Sequence, residues 1–128
     1  MKRIQRKRTK GWKMPENCIY VGRPTKWGNP VKLVGDIIYI HAGYRRKGLD
    51  PWVFYNVGDK FDIIHLYSLI LLGLPFVDKD LQYWSDKFKE NDLNELKNKN
   101  LACFCPIGEP CHADILIHAL NETFDVQC

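Results

Sequence analysis

No stretch of this 128-residue chain is apolar for long enough to cross a bilayer. The longest run, LILLGLPF at 69–76, has the length of a buried strand or helix segment. A secretory leader is not expected either: the charged residues 2–13 are followed by no apolar core, and Pro15 interrupts. The chain has no P-loop, no G-x-G-x-x-G fingerprint, no internal repeat and no low-complexity linker. It also lacks an even cysteine count. Five cysteines without a leader point to a reducing cytoplasm, where thiols stay free or metal-bound and disulfides are disfavoured.

What is present fits one folded domain over 1–128. Apolar residues make up 45% of the chain and charged residues 27%, enough to close a single core without staples. The net charge of +4 conceals an uneven distribution. Residues 1–13, MKRIQRKRTKGWK, hold 7 of the 19 Lys and Arg and no acid; the remainder has 12 bases against 15 acids, a balance of −3. Attraction for anions is therefore concentrated at the start of the chain.

Hydrophobic patterning predicts strands at RIQRKRT, at CIYVG (18–22), at DIIYIHAG (36–43), at WVFYNVG and at NLACFC. The section 31–60 reads as an insertion or hairpin. From Lys60 the period becomes helical. FDIIHLYSLILLG puts Phe61, Ile64, Tyr67 and Leu71 on one face, and Asp78 or Asp80 caps a helix with Leu81, Trp84 and Phe88 inward. A last helix, CHADILIHALNE, turns Leu116, Ala119 and Leu120 inward. Helices flanking apolar strands predict an α/β or α+β domain, a small mixed sheet layered with helices.

Two segments carry chemistry. NLACFCPIGEPCHADILIHAL (100–120) brings Cys103, Cys105, Cys111 and His112 within ten residues. Cys103 and Cys105, two apart on a strand, share a face. Pro110 suits the first turn of a helix, which would set Cys111 and His112 at its electropositive tip. Zinc would need all four, the one clustered set of ligand types. Against zinc stand the absent C-x₂₋₄-C knuckle and the divergent directions of adjacent residues on a helix. The plain alternative is that Cys103 and Cys105 are small buried hydrophobes.

The second segment, VGRPTKWGNP, joins cations Arg23 and Lys26, the Thr25 hydroxyl, the Trp27 ring, permissive Gly28 and the Asn29 amide in a loop stiffened by Pro24 and Pro30. Such a set suits a phosphate joined to a ring: guanidinium forks onto phosphate, and indole stacks. A structural turn around a buried tryptophan is the competing reading.

RTKGWKMPEN…YVGRPTKWGNP with L-x-C-x-C-P…PCHAD resembles domain-of-unknown-function family 4326, whose members occur in bacteria and bacteriophages. The resemblance covers about half of the chain, at its two ends. It implies a compact α/β domain with a site built from both motifs, and marks Arg23, Pro24, Trp27, Gly28, Asn29, Cys103, Cys105, Cys111 and His112 as signature positions. It implies no reaction. A phage origin would place the protein in the host cytoplasm.

The expected function is binding, with hydrolysis or transfer as its catalytic form, of a nucleotide- or nucleoside-like ligand between the RPTKWGNP loop and the PCHAD helix start. Arg23, Lys26 and the helix start would hold the anion, Trp27 would stack, and Thr25, Gly28 and Asn29 would line the site. Whether the protein is an enzyme stays open. If it is, His112 is the acid/base, Cys111 a nucleophile provided it is exposed, and Asp114 the orienting carboxylate. One alternative is a nucleic-acid-binding or phage interaction protein using residues 2–13. Another is a zinc-stabilised module on Cys103, Cys105, Cys111 and His112. No cofactor other than that zinc, and no membrane partner, is expected.

Overall fold

The computed structural model describes residues 2–42 and 48–126. Gly43, which ends the strand expected over 36–43, residues 44–47 of the expected insertion, and Cys128 lie outside the described residues. The element order is β1 (Arg3–Gln5), β2 (Cys18–Tyr20), β3 (Val31–Val34), β4 (Ile37–His41), β5 (Trp52–Val57), α1 (Lys60–Leu71), α2 (Lys79–Phe88), a 3₁₀ turn (Leu93–Leu96), β6 (Asn100–Cys103) and α3 (His112–Val126). The chain is mixed α/β, as the sequence predicts. Its strands divide between two three-stranded sheets. Contacts separate Met1–Gly28 with Asp92–Cys128 from Asn29–Asn91.

The first unit is a wholly parallel sheet ordered β1-β6-β2. The central strand carries NLAC, and Leu101, Ala102 and Cys103 are buried, as expected of a parallel strand covered on both faces. Pairing continues beyond the strand ends: Arg6 N–H donates to Cys103 O (2.7 Å) and Val21 N–H to Ala102 O (2.9 Å). α3 packs on β6 and β1, burying Ala113, Leu116 and Leu120. Ala119, expected inward, is half-buried.

The second unit is an antiparallel sheet ordered β3-β4-β5. Val34 pairs with Ile37 across a tight turn in which Gly35 has φ +63°, a conformation that favours glycine. α1 packs on β3 and on α2. Asp59 starts α1 with a reciprocal capping box to Asp62, and Asp78 caps α2 by accepting from Asp80 N–H and Leu81 N–H. The inner face of α1 differs from expectation: Tyr67 and Ile70 are buried, while Phe61 is 70% exposed. In α2, Leu81 and Phe88 are buried, and Trp84 is half-buried with its indole N–H donating to His41 O (2.7 Å).

Candidate functional site

All three strands of the parallel sheet end on the same edge, and the chemistry-bearing side chains of the first unit gather there. Strands β1 and β2 run into Arg6 and into Val21-Gly22-Arg23; β6 runs into Phe104 and Cys105. The carboxyl edge of parallel strands, followed by helix N-termini, is where α/β sheets bind ligands.

Cys103, Cys105 and Cys111 converge at this edge, with their Sγ atoms all within 4.8 Å of one another. Cys103 Sγ and Cys111 Sγ are 3.0 Å apart, and all described cysteines are thiols. Cys103 and Cys111 are buried; Cys105 is half-buried. α3 begins at His112, so Cys111 is the residue before the first helical one, its carbonyl accepting Asp114 N–H (3.0 Å). Pro110 therefore lies two residues before the helix rather than in its first turn. Not yet in helical register, Cys111 can present its sulfur 3.6 Å from His112 Nδ1.

His112 is 8% exposed. Its Nε2 donates to Val21 O at 2.7 Å, which fixes the tautomer and leaves Nδ1 as the basic nitrogen facing Cys111. Burial lowers its pKa, only partly offset by the Val21 carbonyl, so the ring is neutral at physiological pH. Hydrogen bonds donated by Cys103 and then Cys111 hold Cys105 well below the usual thiol range, assisted by the charge of Arg3. Cys111 is pushed up, by its hydrogen bonds to Cys103 and Cys105 and by burial. Of the three, Cys105 is therefore the thiol that ionises most readily.

The loop between Cys105 and Cys111 is held from β1. One guanidinium nitrogen of Arg3 donates to Glu109 O (2.8 Å) and to Asp114 Oδ2 (2.8 Å), and the other donates to Pro106 O (2.8 Å). Arg3, Ile107, Gly108, Glu109, Pro110 and Asp114 also line a shallow hollow of about 430 Å³ that reaches none of the thiols. Arg6 and Arg8 serve a second group. Arg6 Cζ lies 4.5 Å from the Tyr20 ring centre and 5.3 Å from that of Phe104, and Arg8 Cζ lies 4.2 Å from Phe104. The two rings meet edge to face at 5.7 Å, and Tyr20 Oη donates to Arg23 O at 2.8 Å.

The family model described as Domain of unknown function (DUF4326) matches residues 4–122. The chain belongs to DUF4326. Neither a curated protein nor a solved structure matches it.

Several residues of this DUF4326 chain that the sequence marks for ligand binding are engaged in the fold. Trp27 is 3% exposed. Thr25 Oγ1 donates to Gly22 O (2.6 Å), and Lys26 pairs with Glu95 (2.6 Å). Gly28 sits against Arg23, whose backbone nitrogen would lie 2.9 Å from any added Cβ. Asn29 belongs to the second unit, accepting Val31 N–H (2.9 Å) and donating to Ile63 O (3.3 Å). Of the expected catalytic set, Cys111 is 1% exposed, so the exposure required of a nucleophile is not met, and Asp114 orients Arg3. Sequence reading placed Arg3, Arg6 and Arg8 in a basic arm but missed the grouping of Arg6 and Arg8 with Tyr20 and Phe104 and the clamp formed by Arg3. Strand alternation in RIQRKR carries the signal: position 3 points opposite to positions 6 and 8.

Proposed function

We infer that this DUF4326 protein binds a small anion carrying a planar ring, of the nucleotide class, at the carboxyl edge of its parallel sheet. The observation that carries this reading is the meeting of Arg6 and Arg8 with the Tyr20 and Phe104 rings at that edge, where the Tyr20 hydroxyl also holds the backbone of Arg23. Guanidinium groups stacked on rings keep their edge N–H groups for phosphate. The sheet edge next to the start of α3 adds a positive dipole end. Trp27 and Asn29, engaged in the fold, leave stacking to the Tyr20 and Phe104 faces. Binding rather than turnover is supported, because His112 and Cys111 are buried and Asp114 is paired with Arg3.

The test is a thermal-shift panel of nucleoside phosphates and nucleosides. Ligand at ten times its Kd stabilises the folded chain by about 1.4 kcal/mol, on the order of 5 °C in Tm. Phosphorylated ligands should raise Tm, and Arg6→Ala with Arg8→Ala should abolish the rise while Lys26→Ala keeps it. A flat panel ends this reading. Nucleic acid is the second reading, favoured by the exposed Lys7, Lys10 and Lys13 beside the same arginines. Oligonucleotide binding that weakens steeply with salt, where mononucleotides fail, would select it.

A further inference from the structure

We propose that Cys103, Cys105 and Cys111, with Nδ1 of His112, form a four-ligand centre for a thiophilic divalent cation of the zinc type. The argument begins with distances. Tetrahedral coordination at the usual zinc–ligand lengths puts neighbouring sulfurs about 3.8 Å apart, and sulfur and nitrogen about 3.6 Å apart. The three Sγ atoms span 3.0 Å to no more than 4.8 Å, and Cys111 Sγ lies 3.6 Å from Nδ1. Closing the three sulfurs around an ion takes side-chain shifts of about an ångström, and Nδ1 of His112 would join them from its place beside Cys111.

The histidine supplies the second, independent observation. A ligating imidazole characteristically donates its other N–H to a carbonyl or carboxylate, which orients the ring and fixes the lone pair on the ligating nitrogen. His112 does this through Nε2 and Val21 O, which turns Nδ1 towards the sulfurs. Both sequence objections to zinc lose force. Cys111 precedes the first helical residue, so it and its neighbour converge. Cys105 lies beyond the end of β6, so a C-x-C pair can close on one point.

The charge also balances. Three thiolates, a neutral imidazole and a dication leave one net negative charge. Arg3 and Arg23 both act electrostatically on Cys105, so cations lie near enough to offset that charge. Small buried hydrophobes have no reason to direct three sulfurs at one another; a shared cation gives one. With four protein ligands the centre is closed, which marks it as structural. It would tie the end of β6 to the start of α3 and, through His112, to the residue after β2.

The experiment uses the full chain, purified under reductant without chelator. Elemental analysis should find about one zinc per chain, and Co(II) added to the apoprotein should give thiolate charge-transfer absorption with the visible bands of tetrahedral cobalt. Cys105→Ser and His112→Gln should each weaken cobalt affinity about tenfold or more, whereas Cys18→Ser should leave it unchanged. Cys105 is half-buried, so its variant is the one best placed to fold. Less than a tenth of an equivalent of zinc together with no cobalt charge-transfer band, a Cys103–Cys111 disulfide in the reductant-purified protein, or wild-type affinity in both ligand variants would each overturn the proposal. Metal binding needs no nucleotide, so a flat nucleotide panel leaves this result standing.

Discussion

Arg3 and Asp114 make one ion pair, but the two side chains have unequal amounts to lose. The arginine side chain is 8% exposed and the carboxylate 52%. Removing the guanidinium leaves the Pro106 and Glu109 carbonyls without their donor, whereas removing the charge of Asp114 leaves an exposed amide. Arg3→Met should therefore cost about 2–3 kcal/mol in chemical denaturation, and Asp114→Asn less than about 1 kcal/mol. Equal losses would contradict the clamp. Gly28 is a second sensitive residue, because a methyl group would meet the Arg23 backbone at 2.9 Å. Gly28→Ala should lower stability by about 1–3 kcal/mol, read as a shift of the denaturation midpoint. At this scale the cysteine and histidine cluster is legible from sequence because its members are ten residues apart or fewer. Arg3 is not, since its partners lie more than a hundred positions away.

Among elements, the helix starts were legible and the helix faces less so. Of the two aspartates offered as the cap of α2, Asp78 takes the place, and Asp78→Ala should cost about 1 kcal/mol. α1 is apolar around most of its circumference, so the helical period cannot choose a face. Phe61, assigned inward by that period, is exposed, and Phe61→Ser should change stability by no more than about 0.5 kcal/mol. Leu81→Ala in α2 should cost about 2–5 kcal/mol by opening a cavity. Thermal or denaturant unfolding of the two variants separates these claims. Each expected strand exists in shortened form, but the β1-β6-β2 order joins segments about a hundred residues apart, and no local pattern encodes that.

For the whole molecule, the basic start of the chain acquires a structural meaning. Its arginines flank the strand that leads into the cysteines, so the two ends of the sequence build one sheet and one candidate site. Hydrophobic patterning predicted the α/β class, and the charge distribution located the surplus of bases; only the pairing of β1 and β2 with β6 brings that charge to the thiols. If a metal closes the centre, chelation should lower Tm, because an ion bound only by the folded chain stabilises it. The central claim is that the carboxyl edge of the parallel sheet is where this DUF4326 protein works. The most direct measurement is a ¹H–¹⁵N correlation NMR titration of the full chain with nucleoside 5′-phosphates. The prediction is a saturating set of shifts at Arg6, Arg8, Val21, Gly22, Arg23, Phe104 and Cys105. No saturable shifts, or shifts confined to residues 31–57, would contradict it.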